Sequence, residues 1–241
     1  GGTKLQTVLY DNDLRVVRTG RVAGVNTLYK PVDVVRENVE SMMTDLLRDL
    51  DGAVAAADLC MMGARDVVET VLRKENPACD IRFHSEPNVG LAACLKTEGA
   101  VALSGTGSDA FLVRDGKVLS AVGGWGPLLG DEGSGATLGR LLINGCLKRQ
   151  LPQDICNKFL QQYDLNTAKI LEKVYHEPMP GRFLASLSPF LYENRRNPEI
   201  RNMLVKSFVA FFQHNSMAYR KSWLPIHFVG GIAVTFQDEV K

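Results

Sequence analysis

The order of apolar and polar positions along the chain predicts a protein of alternating strands and helices. Residues 7–22 alternate between apolar and polar side chains on both sides of an Asp-Asn-Asp turn, which predicts two strands. Residues 32–50 repeat their apolar positions at helical spacing instead, which predicts a helix. The next segments predict a buried strand, a helix, a strand and a short helix, in the order 58–63, 66–75, 80–86 and 88–95. This first part of the chain therefore predicts an α/β layer with antiparallel and parallel strands.

The same kind of pattern begins again at Gly99. An apolar strand leads into a glycine turn, and the Asp115-Gly116 pair that follows is a strong signal for a β-hairpin. Residues 151–220 are dominated by helical periodicity that prolines interrupt. Residues 226–231 predict a strand that ends in two glycines, and a further helix follows it.

These two stretches predict the domain organisation. We expect an α/β protein of two lobes, residues 1–97 and residues 98–241, the second with a helical insertion, and with the glycine turns facing the cleft between them. The sequence begins at Gly1 without an initiator methionine and ends at Lys241 within an amphipathic pattern. We therefore expect both termini to be incomplete.

Composition excludes two classes of partner. The 241 residues are 45% hydrophobic, which is enough for substantial cores. The net charge is +1 and no basic stripe runs along the chain, so a nucleic acid is not expected as a partner. The longest apolar stretches are too short to span a membrane and contain Asp58, so no membrane partner is expected either.

The cysteines and histidines suggest neither disulfides nor zinc. The five cysteines are odd in number and form no C-x-x-C pair, which is typical of reduced thiols in a cytoplasmic protein. The four histidines are scattered without the spacing of metal ligands, so we expect each to have a structural role.

The turn GTGS at residues 105–108 is the first candidate for chemistry. It follows an apolar strand, and glycines that adopt positive φ let the main chain approach an anion closely. Thr106 and Ser108 add hydroxyl donors. The alternative is an ordinary turn between two strands, because residues 110–122 continue as a hairpin.

The second candidate is the stretch 123–134, which contains GGWG and GDEGS. Asp131 and Glu132 stand between glycines near the predicted start of a helix, where acidic residues ordinarily act as caps. The same carboxylates are also suited to accept hydrogen bonds from ligand hydroxyls. Trp125, just before them, offers a flat apolar wall on which a sugar ring can rest.

Four landmarks together resemble the BadF/BadG/BcrA/BcrD ATPase family, and within it the N-acetylglucosamine kinase branch. They occur in the family's order over essentially the whole chain: GGTK at 1–4, GTGS at 105–108, GGWG…GDEGS at 123–134 and VGG at 229–231. The resemblance implies the actin-like fold, in which two ribonuclease-H-like lobes clamp ATP between them. It also implies the cofactors ATP and Mg²⁺.

The resemblance implies two phosphate loops and a turn on the adenosine side. The first loop opens in the family with a metal-associated aspartate, whose place lies before Gly1. Gly230 has the alternative of simply ending a strand. The residues to which the resemblance gives ATP or phosphate contacts are Gly1, Gly2, Thr3, Lys4, Gly105, Thr106, Gly107, Ser108, Gly230 and Gly231.

The resemblance also implies a sugar site. Asn26 and Asp131 match residues that bind sugar hydroxyls, while Thr106 and Gly107 match residues near the sugar. Trp125 is added as a further sugar contact. An ordinary turn is the alternative role for Asn26.

Glu86 marks a departure from the family. Kinases of this branch carry an aspartate there, at the end of the strand before the helix that joins the lobes, and it takes the proton of the attacking sugar hydroxyl. Glu86 keeps the carboxylate on a stem one methylene longer, and Pro87 follows it. A displacement of about 1 Å can cost on the order of 100-fold in rate, so either the backbone compensates or activity on the usual sugar is impaired. The alternative role for Glu86 is an N-cap before residues 88–95.

These residues predict an ATP-dependent kinase for N-acetylglucosamine or a related amino sugar. One alternative is an ATPase that activates a partner enzyme, although Cys146 and Cys156 form no evident iron–sulfur motif. Another is a catalytically weak sugar- or nucleotide-binding relative, which the change at Glu86 suggests. Residues 207–219 are apolar enough for a homodimer interface, with burial in the lobe's own core as the competing explanation.

Overall fold

The computed structural model describes residues 4–25, 27, 30–50, 52–61, 63–216 and 225–241. The chain divides into two compact units, Gly1–Glu86 and Pro87–Lys241. The residues predicted in the first phosphate loop at Gly1, Gly2 and Thr3, and the predicted sugar ligand Asn26, lie outside the described residues.

The first unit begins with a β-hairpin. Strand β1 (Lys4–Tyr10) pairs antiparallel with β2 (Val16–Ala23). Between them, Asp11 Oδ1 accepts hydrogen bonds from the amides of Asp13 and Arg15, each at 2.9 Å. Asp11 closes the turn in this way because a short acidic side chain can bond to the backbone just after it.

The rest of the first unit alternates helix and strand. Helix α1 (Val32–Leu47) is followed by β3 (Ala56–Cys60), α2 (Arg65–Glu75) and β4 (Asp80–His84), and β3 pairs parallel with β4. The apolar faces of the two helices form one core, as their helical spacing predicts. The core residues of these faces are Val35, Val39, Met42, Met43, Leu46, Val67, Val68, Val71 and Leu72. Strand β3, predicted to be buried, instead alternates between exposed and half-buried side chains.

Helix α3 (Glu86–Ala93) begins the second unit. Leu91 on this helix is buried against Val101 and Val113, so the helix packs with the residues that follow it. The boundary at Glu86/Pro87 therefore precedes the one expected near residues 96–99. The helix was expected to begin at Asn88, but Glu86 is its first residue and not its N-cap.

The second unit contains a four-stranded sheet in the order β7-β6-β5-β8. Strands β5 (Gly99–Ser104), β6 (Ser108–Arg114) and β7 (Lys117–Gly123) are antiparallel neighbours, and β8 (Ile226–Val229) runs parallel to β5. The predicted hairpin is confirmed at Asp115 and Gly116, whose φ values of 50° and 70° suit a tight turn between strands.

The remaining helices pack on one another around an aromatic and aliphatic core. Its members include the fully buried Phe159, Phe190 and Phe236. The helices are α4 (Gly126–Leu129), α5 (Gly135–Leu147), α6 (Gln153–Gln162), α7 (Thr167–Tyr175), α8 (Pro180–Ala185), α9 (Ser188–Glu193), α10 (Pro198–Phe211), α11 (Gly231–Thr235) and α12 (Gln237–Val240). A π-helical turn, Phe212–Ser216, extends α10. Across the described ranges, no helix is both long and apolar enough to cross a membrane.

Candidate active site

Two of the predicted glycine turns lie side by side in the second unit. Strands β5 and β8 are parallel and pair Leu103 with Val229, so they end together. The backbone at Gly230 then passes so close to Ser104 that a Cβ on Gly230 would overlap the Ser104 carbonyl group. Gly230 has φ 123°, a conformation that favours glycine.

The GDEGS segment is hydrogen-bonded directly to the GTGS turn. The amide of Gly135 donates to the carbonyl oxygen of Gly105 at 2.8 Å, and the amide of Ala136 donates to that of Thr106 at 3.0 Å. These are the first two residues of α5. The free amides at the start of a helix need partners, and here the GTGS carbonyls provide them.

Two serine hydroxyls add further bonds between these segments. Ser104 Oγ donates to the carbonyl oxygen of Gly133 at 2.7 Å, and Ser108 Oγ donates to that of Glu132 at 2.6 Å. Ser104 is buried and was not among the residues selected from the sequence. The signal that could have identified Ser104 from the sequence is its position directly before GTGS. Backbone and side-chain bonds therefore fix the two segments as one structure.

Asp131 lies at the centre of this structure. It is 5% exposed, and its φ of 59° is unusual for a residue other than glycine. Burial raises the pKa of its carboxyl group, although hydrogen bonds from the amides of Ser108 and Gly126 act in the opposite direction. A buried carboxylate with remaining acceptor capacity is suited to bind hydroxyl groups.

Asp131 and Glu132 do not cap α5. The N-cap is Ser134, whose Oγ accepts a hydrogen bond from the amide of Thr137 at 3.1 Å. The prediction that the two acids cap the helix is thus wrong, because Ser134 directly precedes the first turn and is its N-cap.

Gly107 is a glycine because of a close approach and not because of its φ. A Cβ there would lie 2.8 Å from Asp131 Oδ2. Positive φ was expected at Gly105 and Gly107, but neither residue adopts it. Because Gly107 has no side chain, the Asp131 carboxylate can lie against the main chain of the turn.

Trp125 lies six residues before Asp131 in the sequence. Its side chain is 70% exposed, and the amide of the next residue, Gly126, donates to Asp131 Oδ1 at 3.2 Å. A Cβ on Gly130 would lie 3.4 Å from Trp125 Cβ and 3.5 Å from Trp125 Cδ1. Trp125 therefore directly precedes the residue whose amide binds the buried carboxylate, and most of its surface is open to solvent.

Glu132 has partners from a distant part of the chain. Its Oε1 lies 2.8 Å from His214 Nδ1, and Asn215 Nδ2 donates to its Oε2 at 3.5 Å. Both partners lie in the π-helical turn after α10. Burial alone would raise the pKa of Glu132, but the bond and charge of His214, a backbone hydrogen bond and the bond from Asn215 together hold the pKa below its usual value. Sequence reasoning missed His214 and Asn215 because nothing local marks them.

Among the described residues of the first unit, the predicted site residues are Lys4 and Glu86. Lys4 is exposed at the start of β1. Glu86 is the first residue of α3, two residues after β4 ends at His84. Burial raises the pKa of the Cys60 thiol at the end of β3, and the negative charge of Glu86 raises it further. This agrees with a position of Glu86 at the carboxyl ends of the parallel strands β3 and β4. Within the described ranges, no group of three or more His, Cys, Asp or Glu side chains is arranged to hold a metal ion.

Comparison with known proteins begins with two curated kinases. No protein-family model matches the chain. The N-acetylmuramic acid/N-acetylglucosamine kinase of Clostridium acetobutylicum is 32% identical over 85 residues, which cover 35% of this chain and 28% of that protein. The N-acetyl-D-glucosamine kinase of Dictyostelium discoideum is 25% identical over 233 residues, covering 85% of this chain and 72% of that protein. The first match thus spans less than a third of its relative's length.

A solved structure decides the family. It is the crystal structure of a protein from Porphyromonas gingivalis assigned as an N-acetylglucosamine kinase, with a TM-score of 0.89 and 30% identity. The match covers 99% of this chain and 86% of that one. The chain belongs to the N-acetylglucosamine kinase family. The predicted resemblance to the N-acetylglucosamine kinases is confirmed, and so is the actin-like fold of the sugar kinases, while the wider BadF/BadG/BcrA/BcrD family is consistent with these matches. Members of this family are phosphotransferases with an alcohol group as acceptor.

Proposed function

We propose that the protein transfers a phosphoryl group from ATP to a hydroxyl group of N-acetylglucosamine or a related amino sugar. One observation carries the proposal: the GTGS turn, the VGG turn and the buried Asp131 meet in one hydrogen-bonded structure. Family membership supports the reaction class. The individual roles below rest on the resemblance and on the local geometry.

The nucleotide side is assigned to the backbone of the two turns. A Cβ at Gly105 or at Gly231 would meet nothing within 4 Å, so a phosphate group can approach the main chain at both positions. Glycine-rich backbone binds anions through its amides. The Gly105 amide already donates to the Gly107 carbonyl oxygen at 2.9 Å, so Gly105 allows a close approach of the phosphate and does not itself donate to it. The amides of Gly135 and Ala136 already donate to GTGS carbonyls, so the start of α5 is used within the protein.

The other phosphate contacts are part of the same proposal. Thr106 and Gly107 complete the second phosphate loop, and Lys4 belongs to the first. Ser108 was predicted to bind phosphate too, but its hydroxyl already donates to the Glu132 carbonyl oxygen and its amide to Asp131, so it has no donor left for a phosphate. ATP supplies the phosphoryl group when it is bound, and Mg²⁺ would neutralise charge on its phosphates. We assign no metal ligand within the described residues.

The sugar side is assigned to Asp131 and Trp125. The Asp131 carboxylate accepts from the amides of Ser108 and Gly126, and a carboxylate has room for about four hydrogen bonds in all. The remaining capacity suits sugar hydroxyls. The Trp125 indole offers an apolar face beside it. Asn26, Thr106 and Gly107 are the further sugar contacts that the resemblance implies.

Glu86 is assigned as the general base. It takes the proton from the sugar hydroxyl as that oxygen attacks the γ-phosphorus, which makes the hydroxyl a better nucleophile. Its place at the end of β4, as the first residue of α3, matches the place of the catalytic aspartate in the family. Because the side chain of Glu86 is one methylene longer than that of the family's aspartate, activity on N-acetylglucosamine has to be measured directly.

The test is a panel of sugars assayed for ATP-dependent formation of ADP and of sugar phosphate. N-acetylglucosamine comes first, followed by N-acetylmannosamine, N-acetylmuramic acid, glucosamine and glucose. We expect product with at least one N-acetylated sugar and little ADP without sugar. A protein that binds sugar by calorimetry but forms no sugar phosphate would be a binding relative and would overturn the proposal. A cytoplasmic location and a homodimer stay predictions of the sequence.

A further inference from the structure

Glu132 joins the proposed sugar loop to the end of α10. Its carboxylate lies between His214 Nδ1, at 2.8 Å from Oε1, and Asn215 Nδ2, at 3.5 Å from Oε2. The Asn215 side chain is 4% exposed, whereas that of His214 is 60% exposed. One oxygen is therefore held by a buried amide and the other by a ring at the surface.

The direction of the bond between Glu132 and His214 follows from their charges. The pKa of Glu132 lies below its usual value, so the carboxylate is ionised at neutral pH and acts only as an acceptor. His214 Nδ1 must then carry the proton and donate it. A donor bonded to an ionised acceptor makes a stronger bond than a neutral pair does.

The same loop is anchored at the residue after Glu132. The amide of Gly133 donates a hydrogen bond to Ser207 Oγ of α10 at 3.1 Å. A Cβ on Gly133 would lie 3.1 Å from Phe208 Cδ1 and 3.2 Å from Phe211 Cβ, so the loop packs directly on this helix. Helix α10 and its π-helical turn thus fix two consecutive residues of the loop.

The bonds of Glu132 and Gly133 to α10 and its π-helical turn hold the backbone next to Asp131 in place. Asp131 directly precedes Glu132 and has φ 59°, a left-handed conformation that costs an aspartate free energy. Such a conformation persists only where the surroundings enforce it. Helix α10 does so from one side through Glu132 and Gly133, and the GTGS turn does so from the other through Ser108.

We propose that His214 and Glu132 form a positioning pair that holds Asp131 in the orientation needed to bind the sugar. The inference rests on the proposed function. His214 contacts neither reactant in this proposal: it acts through Glu132. Its loss therefore weakens sugar binding and leaves the phosphoryl-transfer step and ATP binding largely unchanged.

The experiment measures steady-state kinetics of the whole chain, with sugar and ATP varied separately. His214→Ala is expected to raise the sugar KM about 10-fold while kcat and the ATP KM stay within about 2-fold. His214→Asn places an amide N–H where Nδ1 stands and should restore most of the lost affinity. His214→Gln places its amide where Nε2 stands and should not. The exposed His176, changed to Ala, serves as the surface control.

A double-mutant cycle separates a pair from two independent sites. Glu132→Ala also removes the partner of Asn215, so its effect should be at least as large as that of His214→Ala, and adding His214→Ala to Glu132→Ala should raise the sugar KM no further. The positioning role would be overturned if the effects of the two substitutions on the sugar KM multiplied, or if His214→Ala left the sugar KM unchanged. It would also be overturned if His214→Asn and His214→Gln had equal kinetics. A wild-type chain that neither binds nor phosphorylates any sugar overturns the proposed function, and this inference with it.

Discussion

Gly230 passes the carbonyl group of Ser104 so closely that the two backbones leave no room for a side chain between them. Gly230 also has φ 123° and ψ 165°, a region that is essentially restricted to glycine. The contact sets the spacing between the ends of β5 and β8, and hence between the GTGS and VGG turns. Two neighbouring glycines allow a matched test of it.

We predict that Gly230→Ala destabilises the protein and that Gly231→Ala does not. Strain and overlap at Gly230 should cost about 2 kcal/mol or more, which lowers Tm by roughly 4–8 °C. A Cβ on Gly231 meets nothing within 4 Å and lies at the first residue of α11, where alanine is tolerated. Thermal unfolding of the two variants measures the difference. Equal Tm values would mean that the close approach at Gly230 is relaxed in solution.

Asp131→Ala should raise the KM for the sugar at least about 10-fold, because it removes a charged acceptor of sugar hydroxyls. The KM for ATP should change much less, since ATP is assigned to the backbone of the glycine turns. The assay is ADP formation at saturating ATP with the sugar varied. Similar losses in both KM values would indicate that the variant disturbs the whole turn structure and that Asp131 has no specific sugar contact.

The pH dependence of stability should have opposite signs for two neighbouring acids. The pKa of Asp131 is raised by burial, so its contribution to stability is present at low pH and is lost as pH rises from about 3.8 through its folded value. The pKa of Glu132 is lowered against the effect of burial, so its contribution is present above about 4.5 and is lost as pH falls through its folded value.

Denaturant unfolding of single variants measures these signs. As pH increases, wild type should lose stability relative to Asp131→Ala and gain stability relative to Glu132→Gln. The comparison uses slopes, so a constant cost of either substitution does not affect it. Slopes of the same sign for the two acids would contradict the environments that the structure gives them.

Glu86→Gln should lower kcat by about 100-fold or more, because a general base contributes roughly 10²–10⁴ to the rate and glutamine cannot take a proton. The sugar KM should stay within about 2-fold. Glu75→Gln, at an exposed site at the end of α2, is the matched control and should keep full activity. A kcat that survives in Glu86→Gln would move the base elsewhere in the chain.

Local sequence patterns predicted those features that local chemistry determines. The hairpin at Asp115 and Gly116 follows from two residues that accept positive φ, and the glycine turns lie at strand ends as the motifs indicated. The contact of Glu132 with His214 joins residues 82 positions apart, so no local pattern encodes it. The structure divides the chain after Glu86, whereas the sequence predicted a boundary after residue 97, because the packing of Leu91 against β5 and β6 is a long-range contact too.

The candidate site shows the same division. Asp131 could be selected from its motif, but its burial and its φ depend on Ser108, Gly126 and α10, which come from three parts of the chain. Its alternative role as a helix cap was plausible from spacing alone. Only the structure shows that Ser134 has taken that role.

The bonds that Gly105, Thr106 and Ser108 make with residues 132–136 have a consequence for anyone who wishes to alter the enzyme's preferences. The segment assigned to the phosphates and the segment assigned to the carbohydrate share one scaffold, so a substitution that reshapes one will displace the other. Donor and acceptor selectivity would then have to be redesigned together, and libraries that randomise only one of the two segments should yield mostly inactive clones.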